Sequence, residues 1–211
     1  MKTFKLHLIR HGLTQGNIDG VYVGGGLDMP LCDAGVEALR QMARRCDYPK
    51  VPVVFSSPMA RALQTADILY PEVRERLILE DLRENVFGIF EGLPVRELAK
   101  DKRFKHWLNP TSGYTPEGGE SGKAFSERVV HALGQMFRHL VDNGLSQAAC
   151  ITHGGVIMSM MSQMAVPRKP YTEWMADNGC GFTVQASTSM LMRDNLVELA
   201  GYVPSQYRTG S

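Results

Sequence analysis

The sequence predicts an α/β fold with a largely parallel sheet, and two observations predict it. Short apolar runs of strand character (Phe4 to Ile9, Val51 to Phe55, Ala148 to Thr152) alternate with longer segments of helical period (Ala34 to Cys46, Ser121 to Asn143, Val156 to Ala165). Two of the strand runs also end directly in a histidine-glycine turn, Arg10-His11-Gly12 and Thr152-His153-Gly154-Gly155. In open α/β sheets the residues just past the carboxyl ends of strands face the ligand crevice.

Each element follows from local pattern. Phe4, Leu6 and Leu8 share one face of the first strand, with His7 and Ile9 on the other, and His7 reads as a hydrogen-bonded structural residue. Gly20 to Asp33, centred on Gly24-Gly25-Gly26, reads as a loop. Val36, Leu39, Met42 and Ala43 give the next segment one apolar helical face, with Asp33 as its expected N-cap. Pro52 restricts the start of the second strand. After it, Ser57 suits an N-cap and Pro58 a first helical position, which puts Arg61 in the first turn. Leu77 to Leu79 reads as a third strand. Residues from Gly92 to about Glu120 have weak periodicity, two basic clusters and Pro-bearing turns, and read as an insertion over one end of the sheet. Phe125, Val129, Leu133, Met136, Phe137 and Leu140 then recur at helical intervals. Ile157, Met160, Met161 and Met164 mark a helix whose methionines pack the core. Phe182 to Ala186 and Leu196 to Ala200 predict two strands, antiparallel across the Arg193-Asp194-Asn195 turn, with Met190 to Met192 between them. The expected organisation is one domain over 1–202 and a loose tail over 203–211.

Composition narrows the function classes. The 211 residues carry a formal net charge of +1, 44% hydrophobic and 21% charged residues. No global field favours nucleic acid or a membrane surface, and no apolar run approaches the ~20 residues of a bilayer span. The start lacks the pattern of a signal peptide. Cys32, Cys46, Cys150 and Cys180 show no CxxC spacing, so reduced, mostly buried thiols in a cytoplasmic protein are expected.

The histidine turns suggest phosphate chemistry by side chains alone. A histidine nucleophile needs a neutral imidazole nitrogen aimed at phosphorus, donors for the non-bridging oxygens, and an acid for the leaving oxygen. His11 is the candidate nucleophile. Gly12 lets substrate approach the backbone and could turn an N–H towards it. Arg10 suits bidentate contact with phosphate, and Arg61 adds charge at a helix N-terminus. His153, if charged, would donate to the same oxygens. A lone structural histidine and a metal shared with His11 are the competing readings, although neither motif has metal-ligand spacing. Glu84, in Leu82-Arg83-Glu84-Asn85-Val86-Phe87-Gly88, can act as acid if burial raises its pKa against the pull of nearby arginines.

The motifs stand in one order: Arg10-His11-Gly12-x-Thr14-x-x-Asn17; Ser56-Ser57-Pro58-x-x-Arg61-Ala62-x-x-Thr65-Ala66; Leu82-x-Glu84-x-x-x-Gly88-x-x-Glu91-Gly92; Pro116-x-Gly118-Gly119-Glu120-Ser121; His153-Gly154-Gly155. This series resembles the histidine phosphatase superfamily, also called phosphoglycerate mutase-like, from Lys5 to beyond Gly155. The resemblance implies a three-layer α/β/α sandwich with a mostly parallel mixed sheet and a partly helical cap. It implies a metal-free, cofactor-free reaction through a phosphohistidine on His11, with Arg10, Arg61 and His153 holding phosphate, Asn17 assisting, Gly12 and Gly154 lining the site, and Glu84 moving the proton. Phe90 stands where the family often has tryptophan, which puts the hydrogen bonding of that loop in question.

The segment Phe87-Gly88-Ile89-Phe90-Glu91-Gly92 is closer to the phosphatase branch than to the mutases, which are longer and exclude water. Asn17 to Gly24, together with Asp177-Asn178-Gly179-Cys180, resembles the α-ribazole phosphatases of cobalamin nucleotide-loop assembly. The expected function is a phosphomonoesterase for a small metabolite, α-ribazole 5'-phosphate being one candidate. The alternatives are a phosphoglycerate mutase and a catalytically weak phospho-ligand binding protein. The expected partner is a small-molecule phosphomonoester, with no nucleic acid or membrane, for a monomer or homodimer. Phe104, His106, Trp107 and Tyr114 either form an aromatic rim for substrate or pack the cap itself. Lys100, Lys102, Arg103 and Lys105 either attract an anion or form a solvated face.

Overall fold

The computed structural model describes residues 2–109, 112–193 and 195–205. In chain order the first half forms β1 (Thr3–Arg10), α1 (Gln15–Ile18), α2 (Asp33–Arg45), β2 (Val53–Ser56), α3 (Ala60–Leu69) and β3 (Glu75–Ile78). Then come α4 (Val95–Leu98), α5 (Lys102–Leu108), α6 (Gly122–Asp142), β4 (Gln147–Thr152) and α7 (Gly154–Met164). The chain closes with β5 (Ala165–Val166), β6 (Gly181–Ser187), α8 (Thr188–Arg193) and β7 (Val197–Val203).

The strands form one mixed sheet in the order β3-β2-β4-β1-β6-β7-β5. β3, β2, β4 and β1 run parallel, β6 is antiparallel to β1, and β7 is antiparallel to β6. Alternation sorts each central strand between two cores. Phe4, Leu6 and Leu8 of β1, Val53 and Phe55 of β2 and Cys150 of β4 pack with the apolar stripes of α6 and α7, including Phe125, Leu133, Met136, Ile157, Met160 and Met164. On the other face Ile9, Val54, Ala149 and Ile151 pack with Leu39 of α2 and with Ala62, Ala66 and Leu69 of α3. The result is the expected three-layer α/β/α arrangement. A third cluster, Phe87, Phe90, Leu98 and Phe104, sits apart and is built on the segment carrying α4 and α5. No described helix is long and apolar enough to cross a membrane.

Several boundaries differ from expectation. β2 starts at Val53, one residue past Pro52, which lacks the N–H to pair earlier. β3 lies at Glu75–Ile78, slightly before the expected run. Asp33 is the first helical residue of α2 rather than its cap; Cys32 holds the cap position without a side-chain bond. α3 starts at Ala60, after Met59, so Ser57 and Pro58 precede the helix, and Arg61 still falls in its first turn. Ala60 N–H donates to Asp28 Oδ1 from the glycine loop. Met190 lies in a helix, α8. Val203 belongs to β7, pairs with Gly181 and is buried, so the fold extends past residue 202. Pro110, Asp194 and the tail 206–211 lie outside the described residues. His7 is hydrogen-bonded across the sheet, with Nδ1 2.8 Å from Thr183 Oγ1. Cys46 and Cys150 are buried, while Cys32 and Cys180 are half-buried.

Candidate active site

Register builds the site. Arg10 pairs with Thr152 across β1 and β4, and Ser56 pairs with Ile151 across β2 and β4. Three adjacent parallel strands therefore end side by side, and the residues just past them are His11, His153 and Ser57. The rings of His11 and His153 have centroids 5.1 Å apart.

His11 is 6% exposed, and its Nδ1 lies 2.7 Å from Gly12 O. A carbonyl only accepts, so Nδ1 carries the proton and Nε2 is left with its lone pair. Burial first, then the Arg61 cation, push its pKa down to about 3, against the Gly12 hydrogen bond. The ring is therefore a neutral base at any ordinary pH.

His153 is fully buried. Arg61 Nε donates to its Nδ1 at 3.2 Å, and its Nε2 lies 2.7 Å from Ser57 Oγ. Arginine only donates, so Nε2 bears the proton and faces Ser57. Burial, then His11 and Arg61, hold its pKa well below the usual range. The expected charged His153 is thus corrected: it is a neutral imidazole that donates through Nε2–H. Its two nitrogens are both engaged and two guanidiniums stand nearby, which disfavours the shared-metal alternative. Among the described residues no three His, Cys, Asp or Glu side chains come together as metal ligands.

Arg61 is 1% exposed and anchored by Leu27 O and Gly24 O. Arg10 donates from one terminal nitrogen to Ala176 O, while its buried Nε has no partner. That Nε lies beside Gly154, the first residue of α7, whose N–H is among those a helix leaves unsatisfied. The Arg10 backbone bonds Cys180 O and Gly179 N–H, and Asn178 Nδ2 donates to His11 O. The segment noted as Asp177-Asn178-Gly179-Cys180 therefore holds Arg10 and His11 in place.

Glu84 is 7% exposed. Its Oε1 accepts from Asn85 N–H and its Oε2 from Gly155 N–H, both at 2.9 Å. Burial raises its pKa, against those two bonds and the charges of Arg61 and Arg10, so desolvation wins the contest that sequence left open. Gly155 admits the carboxylate because a Cβ there would overlap Glu84 Oε1. Gly12 does not turn its N–H to the crevice; it donates to Thr65 Oγ1, and its carbonyl holds His11. Asn17 commits its Oδ1 to Thr14 in a capping box, leaving its Nδ2 as the group able to assist. The loop around Phe90 is hydrogen-bonded without a tryptophan: Glu91 Oε1 accepts from Gly26 and Phe87 N–H, and Phe90 is buried.

The cap aromatics divide. Phe104 is buried in the cap cluster with Trp107 against it, and His106 stacks on Tyr114 at 5.3 Å. Lys100, Lys102, Arg103 and Lys105 are exposed, and Arg103 pairs with Asp101. Ser57 and Thr65 as site supports, Asp28 as the cap of α3 and Asn178 as the brace of His11 were missed. Thr65 stood only inside a quoted motif, and Ser57 carried in addition the N-cap signal that pointed to a different role.

The sequence model of the histidine phosphatase superfamily (branch 1) matches residues 6–187. Fructose-2,6-bisphosphatase TIGAR B of Danio rerio is 31% identical over 188 residues, which is 85% of this chain and 66% of that protein. The adenosylcobalamin/alpha-ribazole phosphatase of Escherichia coli is 28% identical over 182 residues, 83% of this chain and 87% of that one. The crystal structure of the alpha-ribazole phosphatase from Shigella flexneri superimposes with a TM-score of 0.75 at 24% identity, covering 93% of this chain and 94% of that one, and so supports the fold.

Proposed function

The chain belongs to the histidine phosphatase superfamily (branch 1), and on that premise we propose that it is a metal-independent phosphomonoesterase working through a phosphohistidine at His11. One observation carries the reading: His11 Nδ1 is tied to Gly12 O, which leaves Nε2 unprotonated in a buried site that also holds Arg61 and Glu84. The phosphoryl group sits against Arg10, Arg61 and the Gly154 N–H, with Asn17 Nδ2 assisting, and the Nε2–H of His153 turns to it from the Ser57 Oγ that holds it in the resting site. His11 Nε2 attacks phosphorus as the ester P–O bond breaks, and Glu84, whose pKa burial raises, gives its proton to the leaving oxygen. The phosphoimidazole that forms gains positive charge, which the Nδ1–H bond to Gly12 O stabilises. Glu84 then takes a proton from water, water attacks phosphorus, and the P–N bond breaks to release inorganic phosphate and restore His11.

The substrate is a small phosphorylated metabolite. α-Ribazole 5'-phosphate is the first candidate, supported by the Escherichia coli relative, of which the chain covers 87%, and by the braced 177–180 segment. We place the enzyme in the cytoplasm as a monomer or homodimer, in line with its composition and free cysteines.

The test is hydrolysis in EDTA across a panel holding α-ribazole phosphate, fructose 2,6-bisphosphate and 3-phosphoglycerate, with acid-labile phosphate mapped to His11. Inorganic phosphate as product supports the hydrolase; an isomer of 3-phosphoglycerate identifies a mutase instead. Tight ester binding without turnover identifies a binding protein. Glu84→Gln should slow an alkyl ester by about 10²–10⁴-fold and an activated aryl ester far less. It should also remove the fall of activity at high pH that loss of the Glu84 proton causes. Equal slowing of both esters counts against the acid role.

A further inference from the structure

The acid glutamate sits on an irregular loop, yet its carboxylate must be held in place. Ser121 is the N-cap of α6, its Oγ accepting from Ala124 N–H, and this cap fixes where the next turns point. Arg128, two turns in, has a side chain only 18% exposed. All five of its N–H groups are used. Nε and one terminal nitrogen grip the Glu120 carboxylate at 2.7 Å each. The other terminal nitrogen donates to Asp81 O at 2.9 Å and Arg83 O at 2.7 Å. The fifth bond runs to Glu84 O at 3.1 Å.

The geometry is that of a clamp closing on the acid from two sides. Asp81, Arg83 and Glu84 lie on the chain leading into the site. Glu120 follows the segment that pairs with the chain leading out, through Glu120 N–H to Val86 O and the Phe87–Gly119 bridge. The last arginine bond matters most. The peptide whose carbonyl accepts from Arg128 is the same peptide whose N–H, that of Asn85, donates to Glu84 Oε1. Fixing one end of that planar group fixes the other, and each bond polarises the next. Arg128 itself makes no bond to the carboxylate. The cations of Arg61 and Arg10 act on the carboxylate electrostatically, and it acts in turn on Tyr22 and Tyr171.

We propose that Arg128, held by Glu120, is the positioning residue for Glu84, setting the carboxylate through the Glu84–Asn85 peptide. The proposal rests on the reading of Glu84 as the acid of the reaction. It also gives the Pro116-x-Gly118-Gly119-Glu120-Ser121 motif a job: Glu120 holds the clamp and Ser121 caps the helix that delivers it.

Arg128→Lys keeps a positive charge but has no planar fork and only three donors. Turnover of an alkyl phosphate should fall about tenfold or more, while an activated aryl phosphate slows less than about threefold, since acid assistance matters little to a good leaving group. Inhibition by inorganic phosphate, which reports on Arg10 and Arg61, should stay within about twofold. Glu120→Gln should give the same ordering at smaller size. Carbon-13 NMR of the Glu84 carboxyl, assigned with Glu84→Gln, should show it titrating at higher pH in Arg128→Lys, because the Asn85 bond that favours the carboxylate is loosened. The NMR arm needs no turnover. A wild-type protein inert towards every phosphomonoester would sink the phosphatase reading, and the Glu84 titration would still decide the clamp. An unmoved titration, or equal slowing of both ester classes in the two variants, overturns it.

Discussion

His11 and His153 occupy matching places: each follows a central parallel strand, each is buried, and each precedes a glycine. Their hydrogen bonds separate them. The His11 ring bonds through Nδ1 to the carbonyl of its own neighbour, which leaves Nε2 unprotonated. His153 is held at both nitrogens, by Arg61 and by Ser57, and its proton, on Nε2, is donated to Ser57 Oγ. One ring presents a lone pair and the other a proton, although burial keeps both neutral. On the proposed mechanism, tautomer, set by the group on the far nitrogen, divides attack from stabilisation where residue type and fold position are the same.

The largest test of that division is His11→Ala. Turnover should fall by about 10⁴-fold or more and labelled phosphoenzyme should vanish, because the covalent step has no substitute atom. Label retained on the variant would break the comparison at its root. His153→Ala should cost about 10²–10³-fold in turnover, the usual loss for one donor to a transition-state oxyanion. Phosphoenzyme should still form in it, slowly; no phosphoenzyme at all would mean the two rings share the attack. Ser57→Ala removes the hydroxyl that orients the His153 proton. A loss below about tenfold is expected, in turnover more than in phosphate affinity; a loss as large as that of His153→Ala would move the donor role to Ser57.

A further effect is on stability rather than on rate. The unfolded chain takes a proton at His11 below about pH 6.5, and the folded chain refuses it until about pH 3. The unfolded state therefore binds more protons in that window, and folding weakens as pH falls through it, by at most about 1.4 kcal/mol per pH unit. His7 and His153, also lowered, act in the same direction. Glu84 has the opposite sign: its raised folded pKa favours the fold at low pH and that benefit fades as pH rises. Thermal midpoints between pH 7 and pH 4 should fall more steeply for wild type than for His11→Asn. Parallel curves would show that His11 titrates normally.

The sheet, its two cores and the members of the site were legible because they rest on short-range pattern. The methionine stripe of α7 could be read from spacing alone, and so could the strand ends that carry both histidines. The roles within the site were less legible. The charge on His153 depends on Arg61, 92 residues away, and on Ser57, 96 residues away. The cap of α3 comes from Asp28, 32 residues upstream, so local propensity at Ser57 pointed to the wrong residue. Phe104 has the same composition signal whether it faces a ligand or its own cluster; only packing separates the two. Local chemistry marks candidate residues, and long-range hydrogen bonds assign their state.

The pairing of β1 with β4 has a consequence for how the molecule comes into being. The registered partners lie 142 residues apart, Lys5 against Gln147 and Arg10 against Thr152. A ribosome adding about 5–20 residues per second exposes β1 roughly 7–30 s before its neighbour is made. Through that interval β1, at the middle of the finished sheet, has neither flanking strand, since β6 comes later still. The nascent chain thus carries β1 as an apolar, unpaired strand until β4 and β6 have been made, and the proposed site can assemble only then.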